Sequence, residues 1–409
     1  MNASPPGARK FGYIPALDGM RGLSLPGTIV THYSFLAVLP TAPAWLNKVG
    51  PFTLNIEMFF VLSGALITSL LVSEHQRTGD ASMKKFYLRR SRRLAPALIA
   101  VVPILLICQF AIHRHGQELA PLGHSPWITA GAVLIFLGNW RLFAVGGDGL
   151  GWLGPAWTLG IEEQFYLTWP VLLRAAMRRF ASRRAILFGL GLATVISVGI
   201  ATVVENAVGW NSSWYITPSQ LPTVLLGCAL GYELTTNSGG RLIRLLESRL
   251  LALVGLAGMV VISIEFNGDG IALARGGYVA YGVAACLLIG HCFAVAGRET
   301  AVSKVLGWRP FAIVGQVSYE AYLVHLVVIL AVLYSAPTMP VPWMIALDSV
   351  IIAVVSGLFY YLIERPIRRR GWRGALGLSP RPVSVGPAAA AAPELGVVAP
   401  VVETVPRTE

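Results

Sequence analysis

The chain has 409 residues, of which 55% are hydrophobic and only 13% charged, with mean hydropathy +0.64 and formal net charge +12. Soluble domains carry about twice that charged fraction, which excludes an ordinary soluble protein. Many apolar runs near the span length of about 20 residues indicate an all-α fold, a polytopic membrane helical bundle, and no strand alternation suggests a membrane barrel.

Residues 1–16 form a polar, Pro/Gly-containing lead. The first apolar helix follows at about 17–38, LDGMRGLSLPGTIVTHYSFLAV. It contains Arg21 and has no small-residue cleavage site after it, so it reads as a retained span rather than a signal peptide. Arg21 and His32 lie eleven residues apart. At about 100° and 1.5 Å per residue, His32 returns to nearly the face of Arg21, about 16 Å deeper. Ionisable residues within a span are functional candidates by default. Taken singly, each has an ordinary reading: Arg21 can snorkel to the headgroups, and His32 can be a satisfied buried histidine.

A Pro-rich connection, 39–52, leads to the second span at about 53–72, with Glu57 near its outer end. Glu57 is either an interfacial carboxylate or a wall of the His32 cavity, and Ser63-Gly64 is first of all a close-packing pair. The segment MKKFYLRRSRR, 83–93, holds six positive charges beside Phe86 and Tyr87. It suits the inner membrane surface and anionic lipid. Its guanidinium forks also suit phosphates, and an aromatic can stack on a base, so coenzyme A would fit there.

Further apolar runs lie near 94–112, 127–142, 156–173, 185–204, 218–236, 250–266, 276–296, 311–334 and 343–363. Basic clusters at 83–93, 174–184, 241–249, 298–309 and 365–373 hold 22 of the 32 Lys and Arg residues. All of them fall on the inner side only if the short 127–142 run does not cross. The sequence therefore predicts about ten transmembrane helices plus one re-entrant or interfacial segment, with both termini cytoplasmic. Three divisions result: an N-terminal cytoplasmic lead over 1–16, an integral-membrane domain over 17–373, and a disordered Ala/Pro/Val-rich cytoplasmic tail over 374–409. No additional soluble domain is expected. Charge placement between apolar runs argues against nucleic acid, and Cys108, Cys228, Cys286 and Cys292 show neither a disulfide framework nor metal-ligand spacing.

Two later segments carry polar residues where apolar ones belong. In GPAWTLGIEEQFYLTWP, 154–170, Glu162 and Glu163 open a span together with Trp157, Gln164 and Tyr166. The carboxylates can complement a helix N-terminus, or one can orient a histidine; being about 100° apart, only one is expected to face a cavity. In GQVSYEAYLVHLVVI, Ser318, Tyr322 and His325 share one helix face at i, i+4 and i+7. The last span ends in YYLIERPIRRR, where Pro366 is expected to close the helix and Glu364 to pair with an arginine.

These residues resemble the integral-membrane acyltransferase 3 family over about 13–370. Its Arg-x10-His opening is matched by Arg21 and His32, its FFVLSGFLI-like span by FFVLSGALI, and its FxxRRxxRxxP motif by Phe86, Arg89, Arg90, Arg93 and Pro96. Its WSLSxEEQFY-like segment is matched by WTLGIEEQFY, its ISYxxYLxH-like segment by VSYEAYLVH, and its closing ERP by 364–366. Thr158 and Gly160 replace common serines, Asn55 a common glycine, and Leu326-Val327 a common Trp-Pro. The resemblance implies an O-acyltransferase of the cell membrane, multi-pass, in the bacterial inner membrane. It would move an acyl, usually acetyl, group from cytosolic acyl-CoA, a cosubstrate rather than a bound cofactor, to a hydroxyl of a carbohydrate-containing acceptor. His32 would be the central catalytic residue with Arg21, Glu162 and Glu57. Arg89, Arg90 and Arg93 would hold the donor phosphates, with Tyr87 beside them. Trp157, Tyr166, Ser318, Tyr322 and His325 would line the substrate site, with no metal. A proton-coupled transporter or lipid-linked substrate flippase is the alternative from composition and topology.

Overall fold

The computed structural model describes residues 13–35, 55–114, 126–145, 153–180, 182–237, 239–266 and 270–375. The 39–52 connection, the glycine-rich stretch at 146–152, most of the expected lead and nearly all of the expected tail lie outside the described residues, as does the side chain of Cys108. All described elements are helical. The main ones are α1 (Pro15–Phe35), α2 (Asn55–Thr78), α3 (Met83–Arg114), α4 (Pro126–Leu134), α5 (Gly138–Val145), α6 (Ala156–Arg179) and α7 (Arg183–Val208). They continue as α8 (Thr217–Thr236), α9 (Arg249–Glu265), α10 (Tyr278–Ala294), α11 (Arg309–Gln316), α12 (Ser318–Ser335), α13 (Val341–Phe359) and α14 (Arg365–Ala375). Among the described residues, five helices are long and apolar enough to cross a membrane: 55–78, 183–208, 273–294, 318–335 and 341–372. The protein is therefore a multi-pass membrane protein, because such lengths can shelter every backbone polar group within lipid.

The 127–142 run divides into α4 and α5, of nine and eight residues, with Phe136 between them at φ 63°. At about 1.5 Å per residue neither crosses a bilayer by itself. Gln164 of α6 fastens this break: its amide Nε2 donates to the Phe136 carbonyl at 2.7 Å and to Asn139 Oδ1 at 2.9 Å. The basic cluster at 83–93 forms the first turns of α3, whose 32 residues run on into the apolar segment without a break.

Two expectations about helix ends are corrected. The carboxylates Glu162 and Glu163 do not open α6, which begins at Ala156; they lie beyond the first turn, where the helix dipole has faded. Pro366 does not stop the last helix. The chain passes through a wide π-helical turn at Tyr360–Glu364 and continues helically past Pro366 to a kink at Gly371, φ 70° and ψ 171°. A π-turn changes the hydrogen-bond register where proline lacks an N–H, so the helix continues past it.

Packing is closest along two seams. A Cβ added to Gly315 would lie 1.8 Å from the Asp18 carbonyl oxygen, and one on Gly22 would lie 2.0 Å from that of Phe311, so α1 and α11 meet backbone to backbone. The α2–α8 seam is similar at Gly64 and Gly227. Small residues permit this approach in lipid, where dispersion replaces the hydrophobic effect as the force between helices. The buried side chains divide into two apolar cores. Leu17 and Met20 of α1 belong to one, and Leu25, Ile29 and Tyr33 to the other. Arg21 sits at their junction.

Candidate active site

A cavity of about 70 Å³ opens at that junction. Five helices carry its polar wall: Arg21 and Thr28 from α1, Ser63 from α2, Arg90 and Arg93 from α3, Glu162, Thr158 and Tyr166 from α6, and Ser318, Tyr319 and Tyr322 from α12. Leu25, Ile56, Phe59, Leu94 and Leu159 supply apolar surface. Three guanidiniums against one carboxylate give the wall a net charge of +2. Asp18 tempers this from the turn before, accepting from Arg21 Nη1 at 3.1 Å.

The guanidinium carbon of Arg90 lies over the Tyr166 ring, 3.6 Å from its centroid. Its buried Nε has no hydrogen-bond partner. The ring is fixed in turn: the Tyr166 hydroxyl donates to Glu162 Oε2 at 2.8 Å and lies 2.9 Å from Ser63 Oγ of α2. Stacking thus holds the arginine fork in place without consuming its donors. Arg93 lies in the field of Glu364, Asp18 and Glu320. Elsewhere on the wall Thr158 donates to the Tyr322 hydroxyl at 2.8 Å, which donates to the Pro155 carbonyl at 3.1 Å.

Beyond Thr28 and Tyr322 stand two histidines. His32 Nδ1 lies 2.8 Å from the Thr28 carbonyl, and His325 Nδ1 lies 2.7 Å from the Tyr322 carbonyl. A carbonyl only accepts, so both rings carry their proton on Nδ1. His325 Nε2 lies 3.3 Å from His32 Nδ1, and the rings meet edge to face with centroids 4.6 Å apart. That geometry gives His325 the accepting role and puts the lone pair of His32 on its Nε2.

Among the residues singled out in the sequence, Arg21, Arg90, Arg93, Glu162, Tyr166, Ser318 and Tyr322 gather around the cavity, whereas His32 and His325 pair with each other one turn past Thr28 and Tyr322 and do not line it. Of the two adjacent carboxylates, Glu162 faces the cavity. Others stand apart. Arg89 turns outward and meets Glu74 at 3.4 Å. The Tyr87 hydroxyl donates to the Leu167 carbonyl, tying α3 to α6. Trp157 packs edge-on against Trp214 and Tyr215. Glu57 faces α8, accepting from Thr223 at 2.6 Å. Thr28 and Thr158 were not legible as site residues, since threonine is unremarkable in a span; Thr28 lies one turn before His32 and Thr158 beside the acidic pair.

The acyltransferase-domain family matches residues 14–365. The chain is 30% identical over 378 residues to the O-acetyltransferase OatA of Staphylococcus aureus, covering 88% of this chain and 58% of that protein. It is 28% identical over 376 residues to the peptidoglycan O-acetyltransferase OatA of Listeria monocytogenes, covering 88% and 56%. The chain thus spans somewhat over half the length of these relatives. No solved structure matches it.

Proposed function

The chain belongs to the acyltransferase 3 family, and from that premise we propose that it is a membrane O-acetyltransferase acting on a carbohydrate hydroxyl of the cell envelope, with acyl-CoA as donor. The observation that carries this reading is the cationic cavity, with a pair of histidines hydrogen-bonded to the backbone of its Thr28 and Tyr322 walls. Arg90 and Arg93 stand near the basic, inner end of α3, where a phosphorylated donor arriving from the cytosol would meet them. His32 lies eleven residues beyond Arg21 on α1. In this reading the domain crosses the cell membrane about ten times, with both termini inside.

The chemistry then needs a base, a site for the developing oxyanion, and exclusion of water. His32 Nε2 takes the proton of the acceptor hydroxyl while that oxygen attacks the thioester carbonyl carbon. Arg21, three turns before His32 and turned toward Asp18, contacts the donor rather than the reacting carbonyl. Collapse of the adduct breaks the carbon–sulfur bond, and the thiolate leaves with the proton held by His32. The products are an O-acetyl ester and free coenzyme A. Glu162 and Tyr166 keep Arg90 aimed at the donor, and His325 keeps His32 in the productive tautomer.

The test is thiol release from acetyl-CoA by protein in nanodiscs, with and without a mixture of cell-wall glycan fragments. Acceptor-dependent release, lost in His32→Gln, supports the reading. Absence of both release and coenzyme A binding contradicts it and favours the transporter or flippase.

A further inference from the structure

α13 is a peripheral helix whose Trp343, Leu347, Val350, Val354 and Leu358 are exposed to the apolar surroundings. Its inward stripe is Val341, Met344, Asp348, Ile352 and Ser356, all at most 1–2% exposed. Asp348 is the one charged residue in the 19 residues of α13. An ionisable side chain amid such a helix is costly and calls for a partner and a purpose. The partner is Tyr33, itself 1% exposed, whose hydroxyl donates to Asp348 Oδ2. Asp348 Oδ1 has no hydrogen-bond partner.

Tyr33 follows His32 directly, and both lie on one turn of α1. Two side-chain contacts tie this turn to neighbouring helices. His32 meets His325 of α12, and Tyr33 meets Asp348 of α13. Successive residues project about 100° apart, so the two ties pull in different directions and fix the rotation of the turn about its axis.

We propose that Asp348, acting through the Tyr33 hydroxyl, is a positioning residue that fixes the orientation of the His32 imidazole. The consequence for turnover rests on the acyl-transfer reading above; the consequence for the ring does not. The test is ¹⁵N NMR of histidine-labelled protein in nanodiscs, with the His32 resonance assigned by its loss in His32→Gln, alongside acetyl-CoA turnover. Wild type is expected to give a single His32 species protonated on Nδ1. Tyr33→Phe is expected to give a mixture of tautomers and a kcat lower by roughly tenfold or more at unchanged donor KM, as misplacement of a reacting group does. Asp348→Asn keeps an acceptor for the Tyr33 hydroxyl and is expected to restore the single species and most of the turnover. An unchanged His32 spectrum in folded Tyr33→Phe overturns the proposal. So does Asp348→Asn behaving like Tyr33→Phe, because the carboxylate and not the hydrogen bond would then be what matters. If wild type turns over no thioester, the acyl-transfer reading fails and the spectrum alone decides the positioning role.

Discussion

Arg89 and Arg90 are neighbours with the same charge, yet the structure predicts opposite consequences for their loss. Arg90 lies over Tyr166 on the cavity wall with a buried, unpartnered Nε, whereas Arg89 is half exposed beside Glu74. Arg90→Lys keeps the charge but removes the planar fork and the stack. A charge-assisted hydrogen bond contributes about 1.5–3 kcal/mol, so losing one of the two in a bidentate phosphate contact weakens donor binding by about ten- to hundredfold. Arg90→Ala also removes the charge and is expected to be worse. Arg89→Ala removes an exposed pair of the kind that contributes about 0–1 kcal/mol, and donor affinity is expected to stay within about threefold. Calorimetric titration of coenzyme A into nanodisc-embedded protein measures all three. Equal effects at the two positions, or tight binding by Arg90→Lys, would refute the assignment of this cavity to the donor phosphates.

Three other outcomes are open to direct measurement. Gly315→Ala drives a methyl into the Asp18 carbonyl, and with no flexible neighbour to yield it should cost about 1–3 kcal/mol or more, seen as a lower unfolding temperature. Asp80 accepts from Arg174 and Arg178, which hold its carboxyl below the usual carboxylate range. The stability this contributes is complete above the ordinary value of 3.8 and is lost as pH falls further. The unfolding-temperature gap between wild type and Asp80→Asn should therefore be constant from neutral pH down to that value and shrink below it. Glu57→Gln keeps the Thr223 contact on the α8 side of α2; coenzyme A affinity within about threefold of wild type is expected, and a larger loss would place Glu57 in the donor site.

Much of this arrangement can be read from the sequence because helical geometry repeats. Arg21, Ser318 and Tyr322 do line one cavity, while His32 and His325, one turn past Thr28 and Tyr322 on the same two helices, meet each other instead. Spacing fails where the deciding fact is tertiary. Glu162 and Glu163 are equivalent in sequence, and only the placement of α6 beside α3 sets Glu162 on the cavity. Arg89 and Arg90 differ by one step of 100° about α3, enough to send one outward and the other over Tyr166. Glu57 begins an apolar helix much as a cavity residue would, but the α2–α8 seam takes it to the other side. Pro366 signals a helix stop, and the π-turn before it absorbs the missing donor. Asp348 did carry a legible signal, a lone acid in an apolar run, whereas its partner Tyr33 looks like any aromatic in a span.

The central claim is that His32 is the base for acetyl transfer to a sugar hydroxyl. Mass spectrometry of glycan fragments incubated with ¹³C-acetyl-CoA and nanodisc-embedded protein tests it most directly. Wild type should add a labelled acetyl ester to an acceptor and release one coenzyme A per ester formed, and folded His32→Gln should form none. Labelled product at the wild-type rate from His32→Gln would contradict the claim.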